Sequence, residues 1–382
     1  MSRSNRIDPI LEKLYEFYHD NFAEKNSRVA DHLNNITIDT SLIEKDRGSG
    51  EVVMPHLMLR SNGNELNIKS PFYLSRSPLA YGSVSYSIGL SLGSTLLGFP
   101  LNIGFGDHPK EEDEIMESYN PPLICQYTGF REESDIVGLS KCDVVEIDPY
   151  FYFVGSEKYQ DHPGFLPELR KGKDLSLIVE MIKEINDVPV ILHLPASCIE
   201  RDMDRTVVSG VEGIIIHCEN PPVGKISRGF DFPSRDPVSA ITEATSHLST
   251  FESRGEKIKL ILDSRISRLD DCIKLLCLGA DAILLDNLLE TYSLYEFWRD
   301  EDGGLNGSEI FEKSPDWASI GEGIQGLVED MHDAMEEKFK IMGIDPEKDL
   351  SRKNLRSCDY VTSYLSGLKI AGRNRVLPIW RH

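Results

Sequence analysis

The sequence predicts a parallel α/β fold of the (β/α)8 barrel type. Eight short apolar runs recur between residues 71 and 286. Each run ends in a polar or turn residue, and helical periodicity follows it. The runs are apolar throughout rather than alternating, which suits parallel strands covered on both faces. Eight such units over ~220 residues match the size of a closed barrel. An open doubly wound sheet is the alternative, but the Gly-x-Gly-x-x-Gly fingerprint of its dinucleotide-binding version is missing.

The elements follow in order. The first fifty residues read as a helical lead-in, with Ile10, Leu11, Leu14, Tyr15 and Tyr18 at helical spacing. Glu51–Lys69 reads as a small β-rich arm, VVMPHLML and LNI joined by an Asn-Gly-Asn turn. The eight strands are then PFYLS (71–75), FPLNIG (99–104), PLICQYTG (122–129), DVVEID (143–148), VPVILHL (188–194), EGIIIHC (212–218), IKLILDS (258–264) and ADAILLD (280–286). Stretches 174–186, 202–209 and 269–278 carry helical patterns between them. Gly321–Ala371 reads as helical again, with Leu327, Met331, Ala334, Met335 and Phe339 on one stripe. Three parts result: a lead-in and β arm (1–70), the barrel (71–300) and a helical extension (301–382).

Composition narrows the function. The chain has 382 residues, 41 basic against 63 acidic, and a formal charge of −22. Such a surface repels phosphate backbones and anionic membranes, so neither nucleic acid nor membrane is an expected partner. No segment reaches the ~20 apolar residues that span a bilayer, and the first residues show no apolar signal core. A soluble cytoplasmic protein with reduced thiols is expected, binding a small molecule. Cys125, Cys142, Cys218 and Cys277 lie in or beside apolar runs and read as buried small hydrophobes. No Cys-x-x-Cys pair, Gly-x-Ser-x-Gly elbow or Walker loop occurs. His162 reads as a loop residue.

In a barrel, ligands bind at the C-terminal ends of the strands. The polar residues there are Ser75, Gln126, Asp148, His193, His217, Asp263 and Asp286. Together they are expected to form one ligand site, although polar residues end strands everywhere. The turn SRSPLAYGSVS (75–85) enters a helix whose amides can hold a polar ring edge or an anion; the plainer reading makes Ser85 a helix cap. After the seventh run, Arg265 and Arg268 are local cations at a common phosphate position. The plainer reading pairs them with Asp270 and Asp271 in solvent.

The order of these motifs resembles the FMN-binding, glutamate-synthase-like barrel family over roughly residues 70–372. AYGSVS (80–85), IGFGD (103–107) and PGFLP (163–167) echo its turns after strands one, two and four, and the closing segment NLRSCDYVTSYLSGLKIAG is similar too. The resemblance implies a TIM barrel and an oxidoreductase of amino-acid metabolism. FMN would stack over Ala80, Tyr81 and Gly82. Gln126 would bond its pyrimidine edge, and Arg265 or Arg268 would take its phosphate. The family's lysines after strand four and on strand five fall at Asp148 and His193, the candidate catalytic groups. Its glycine-rich phosphate turns are replaced by Asp263-Ser264-Arg265 and Asp286-Asn287, and its loop after strand six by ENPPVGKISRG. No Cys lies between Cys277 and Cys358, so no iron–sulfur cluster is expected.

Three readings follow. The first is an FMN-dependent oxidoreductase acting on a small amino or imino acid. The second is a barrel without flavin, a binding or structural subunit in an oligomer or beside an intact paralogue. The third is a hydrolase or lyase whose metal is held by Asp148, His193, His217, Asp263 and Asp286.

Overall fold

The structure is a computed structural model and describes residues 4–22, 32–39, 52–104, 108–127, 138–148, 173–219, 235–252, 258–299, 305, 310 and 313–373. Helix α1 (Ser4–Asn21) buries Ile7, Leu11, Leu14 and Tyr18, whereas Ile10, expected on that face, is exposed and Tyr15 is half-buried. Strand β1 (Ile36–Ile38) follows. Strands β2 (Leu57–Ser61) and β3 (Asn64–Ile68) form an antiparallel hairpin. Asn62 and Gly63 turn it with φ of 35° and 119°, the left-handed region that an Asn-Gly turn requires.

Eight parallel strands come next: β4 (Phe72–Tyr73), β5 (Leu101–Gly104), β6 (Leu123–Tyr127), β7 (Val144–Ile147), β8 (Val190–Pro195), β9 (Gly213–His217), β10 (Lys259–Asp263) and β11 (Ala282–Leu284). Their order, β4-β11-β10-β9-β8-β7-β6-β5, leaves β4 and β5 at the two ends of one curled sheet. Side chains bridge those ends. Asn102 Nδ2 donates to Ser75 Oγ at 3.3 Å, and Arg76 Nη1 donates to the Asn102 carbonyl at 3.1 Å. This is a (β/α)8 barrel, and each of the eight apolar runs supplies one strand. Val144, Val145, Ile147, Ile214, Ile215 and Ile216 are almost fully buried, as strands covered on both faces must be.

The outer layer holds α2 (Pro78–Gly82), α3 (Val84–Leu96), α4 (Lys110–Tyr119), α5 (Lys173–Ile185), α6 (Ile199–Val207), α7 (Pro237–Glu252), α8 (Leu269–Leu278) and α9 (Asp286–Ser293). A π-helical turn, Leu294–Trp298, extends α9. The long helix α10 (Trp317–Met342) then packs against α3. After it come α11 (Pro346–Asp349), β12 (Leu355–Ser357) and α12 (Tyr360–Ser366). Strand β12 pairs antiparallel with β1, so Ile36 lies opposite Ser357. Both strands fall in segments that read as helical in the sequence; two three-residue strands satisfy each other's backbone, and neither is a period a single segment reveals. No helix among the described residues is long and apolar enough to cross a membrane.

The α3–α10 contact depends on glycines. A Cβ on Gly89 would lie 2.6 Å and 2.7 Å from side-chain carbons of Ile320. Gly89→Ala is therefore expected to destabilise the chain by about 1–3 kcal/mol through overpacking, although alanine is the better helix former. Gly326→Ala, on the same long helix but with nothing within 4 Å of its added carbon, should stabilise by about 0.5–1 kcal/mol. Urea unfolding of the two variants checks the opposite signs.

The thiols require one correction. The sulfurs of Cys125 on β6 and Cys142, before β7, are bonded as a disulfide, with Cα atoms 6.0 Å apart. Both were expected as separate reduced thiols. The pairing spans two adjacent strands and has no local signature. Burial pushes the thiols of Cys218, Cys272 and Cys277 up, which keeps them in the unreactive protonated form.

Candidate active site at the barrel mouth

The site is built around a carboxylate that the sequence reading did not select. Glu146 projects from β7 into the barrel and is fully buried. Its Oε1 accepts from the Tyr73 hydroxyl at 2.5 Å. Its Oε2 accepts from Ser75 Oγ at 2.6 Å, Asn102 Nδ2 at 2.8 Å and Gln126 Nε2 at 3.3 Å. His193 Nε2, from β8, also lies 3.3 Å from Oε2. Burial alone pushes this carboxyl up. The neighbouring His193 cation and the bonds from Ser75 and Tyr73 outweigh burial and hold it below its ordinary value.

His193 carries the complementary shift. Burial opposes its cation, but Asp148, Glu146 and Asp286 raise its pKa from 6.5 to about 9. The imidazolium thus prevails at neutral pH. Asp148 Oδ2 lies 3.8 Å from its Nδ1.

From His193 a chain of polar groups runs around the rim. His193 Nδ1 and His217 Nε2, from β9, are 2.9 Å apart, with the two rings stacked. His217 Nδ1 is 2.7 Å from Asp263 Oδ2 on β10. Asn287, at the start of α9, donates from Nδ2 to both Asp263 oxygens, at 3.1 Å and 3.0 Å. With His193 protonated, one tautomer satisfies the chain: His193 Nδ1–H donates to His217 Nε2, and His217 Nδ1–H donates to Asp263. Strands β7 to β10, and α9 after β11, thus supply Glu146, His193, His217, Asp263 and Asn287. The Asn287 Oδ1 is buried without a hydrogen-bond partner among the described residues. Asp286 accepts from the Ser75 amide at 2.9 Å, yet burial pushes its carboxyl well above the usual range.

The turn after β4 is fixed from below. The Leu79 amide donates to Glu290 Oε1 at 2.7 Å, tying α2 to α9. The Tyr81 hydroxyl donates to Gln126 Oε1. Ala80 is buried and Gly82 half-buried. The cap of α3 is Ser83, whose Oγ accepts from the Tyr86 amide, rather than Ser85, which bonds Ser314. Arg76, also unselected from sequence, is a buried cation held by Glu112, Ser87 and the Asn102 carbonyl.

The two arginines after β10 are held away from Asp270 and Asp271. Arg265 pairs with Glu219, approaches His19 Nε2 at 3.1 Å and lies over the Tyr18 ring at 4.5 Å. Arg268 is exposed and pairs with Glu12 of α1 at 3.5 Å. Asp271 instead closes the first turn of α8, accepting from the Ser267 and Arg268 amides, and Asp270 pairs with Lys338. Ser264 is buried beside Arg265, its hydroxyl 3.4 Å from the Arg265 carbonyl.

The structure therefore brings Gln126, Asp148, His193, His217, Asp263, Asp286 and Asn287 to one mouth and turns Arg265 and Arg268 toward α1. The missed residues had weak signals: a charged residue inside VVEID and an amide inside FPLNIG. Among the described residues, no group of three or more His, Cys, Asp or Glu side chains could hold a metal ion. His193 Nδ1 and both ring nitrogens of His217 are directed at neighbouring side chains, which disfavours the metal reading. Residues 105–107 of IGFGD, PGFLP, His162, and ENPPVGKISRG beyond Glu219 lie outside the described residues.

No protein-family model and no curated protein matches the chain. Solved structures do. The recombinant flavin-binding domain of baker's yeast flavocytochrome b2 is similar with a TM-score of 0.60 and 17% identity, over 100% of this chain and 95% of that one. A mandelate oxidase structure gives 0.58 and 16%, over 91% and 98%. An active chimera of (S)-mandelate dehydrogenase gives 0.56 and 14%, over 93% and 99%. At such identities the likeness establishes the shared barrel fold.

Proposed function

We propose that the chain is an FMN-dependent oxidoreductase of the glutamate-synthase-like type, acting on a small amino or imino acid. The observation that carries this reading is the buried, cationic His193 at the barrel mouth. Flavin-binding barrels among the similar structures add support, as does the order of motifs along the chain. A flavin ring needs a positive group beside N1 and C2=O to stabilise its reduced anion. His193 is such a group, and Gln126 and the small-residue turn Ala80–Gly82 share its mouth. The donor set thus fits the ring. Bound FMN would supply electron transfer with the substrate carbon.

The chain's own residues do the rest. Glu146 balances the His193 charge across the 3.3 Å ion pair at Nε2. His217, partly open to solvent, receives or returns the proton at His193 Nδ1, while Asp263 steadies the imidazolium that forms. Asp148 and Asp263 favour a substrate ammonium over a second carboxylate. A cytoplasmic oligomer, without nucleic-acid or membrane partners, belongs to the same reading.

The phosphate end sets a competition. Arg265 must leave Glu219 to grip a phosphate. Arg265→Ala is expected to weaken FMN binding by about 1–3 kcal/mol, a charged hydrogen bond's worth. Glu219→Gln should tighten it, because the guanidinium is then released. Fluorescence titration with FMN checks both signs; two unchanged affinities would place the phosphate elsewhere. The same commitment of Arg265 and Arg268 favours a second reading, a flavin-free binding subunit. Flavin absorbance in the purified protein, or a melting temperature raised by FMN, supports the first. A colourless protein indifferent to FMN supports the second.

A further inference from the structure

Away from the mouth, α1, α9 with its π-helical turn, and α10 border a half-open surface groove of about 400 Å³. Its size is that of a small-molecule site. Ile10, Leu14 and Leu327 give it an apolar wall, and Tyr292 and Tyr295 an aromatic one. Lys13 stands at one side, its Nζ 4.5 Å from the centre of the Tyr295 ring. Glu296 and Asp330 also line it, and neither forms an ion pair among the described residues. Helix α10 gives up side chains to make this space. A carbon added to Gly326 would meet nothing within 4 Å, and one added to Gly323 would come within 2.7 Å of the Tyr292 hydroxyl. Glycine inside a helix costs stability, and π-helical turns cluster at functional sites. The two features meet at this groove.

We infer that this groove is a second binding site, for a zwitterionic amino acid with an apolar side chain. The lining carries three demands, and this ligand class meets all of them. An apolar body fills the space between Ile10, Leu14 and Leu327. A carboxylate pairs with Lys13. An ammonium pairs with Glu296 or Asp330, because the Tyr295 ring is already approached by Lys13 at 4.5 Å and Arg299 at 4.0 Å. A simple amine leaves Lys13 opposed, and a simple acid meets two uncompensated carboxylates. This site does not depend on the flavin reading of the mouth.

Calorimetric titration and thermal shift with L-phenylalanine test it. L-phenylalanine should bind and raise the melting temperature. Phenethylamine, lacking the carboxylate, and 3-phenylpropionate, lacking the ammonium, should bind at least tenfold more weakly. Gly326→Leu places a side chain in the groove and should abolish binding while the fold persists. Should that variant not fold, the doubly changed Glu296→Gln, Asp330→Asn chain takes its place and should lose the preference for L-phenylalanine over 3-phenylpropionate. Absence of binding at millimolar L-phenylalanine overturns the inference. So does binding that neither variant alters, which would put the amino acid at the barrel mouth instead.

Discussion

Glu146→Ala is expected to lower the unfolding free energy by about 3–5 kcal/mol, the range for removing one partner of a buried charge pair. The carboxylate is fully buried and receives hydrogen bonds from Tyr73, Ser75, Asn102 and Gln126, with His193 beside it. These donors come from β4 and its end, β5, β6 and β8. Deleting the acceptor strands several buried donors at once, each costing about 1–3 kcal/mol when left unsatisfied. Part of that is recovered if water enters. Glu146→Gln keeps the volume and one acceptor, but it directs an amide N–H at groups that are themselves donors, so its cost should be smaller yet clear. Urea unfolding at neutral pH measures both. A loss below about 1 kcal/mol for Glu146→Ala, the net worth of one ordinary hydrogen bond, would mean that the donors have other partners and that the ring is not organised about this residue.

The barrel was legible because each strand is apolar along its whole length and each ends in a polar residue. That single pattern located all eight strands and brought His193, His217, Asp263 and Asp286 to one rim. Glu146 was hidden for a physical reason. Whether a residue inside VVEID points into the barrel or toward the helices depends on how the sheet closes, and its partners run from Tyr73 to His193 along the chain. Arg265 shows the same limit. Its charge was read correctly, but its partners Glu219, His19 and Tyr18 come from a different strand end and from the first helix. Local sequence reports the charge; only the fold reports which opposite charge arrives first. The β1–β12 pair and the Cys125–Cys142 bond are likewise products of long-range register.

The stability of the wild-type chain should fall as pH rises from 6.5 to 9, and His193→Gln should abolish most of that slope. His193 has an ordinary pKa of 6.5 and a folded value of about 9. A raised value means that the folded state binds the proton more tightly than the unfolded chain does. The stabilisation is therefore complete below pH 6.5 and is lost as pH climbs through about 9. A shift of that size corresponds to at most about 3 kcal/mol. Glu146 cannot produce this slope, because its value is lowered and its contribution is lost only in acid. Asp286, raised by burial, lowers stability as pH rises above 3.8, a slope of the same sign, so the part of the slope that His193→Gln removes is the measure of His193. Urea unfolding at pH 6, 7.5 and 9 separates the cases. A wild-type chain equally stable at all three would show that His193 is neutral in the fold. It would also remove the charge on which the reading of the mouth rests, since a neutral imidazole gives no cation to stabilise an anion there.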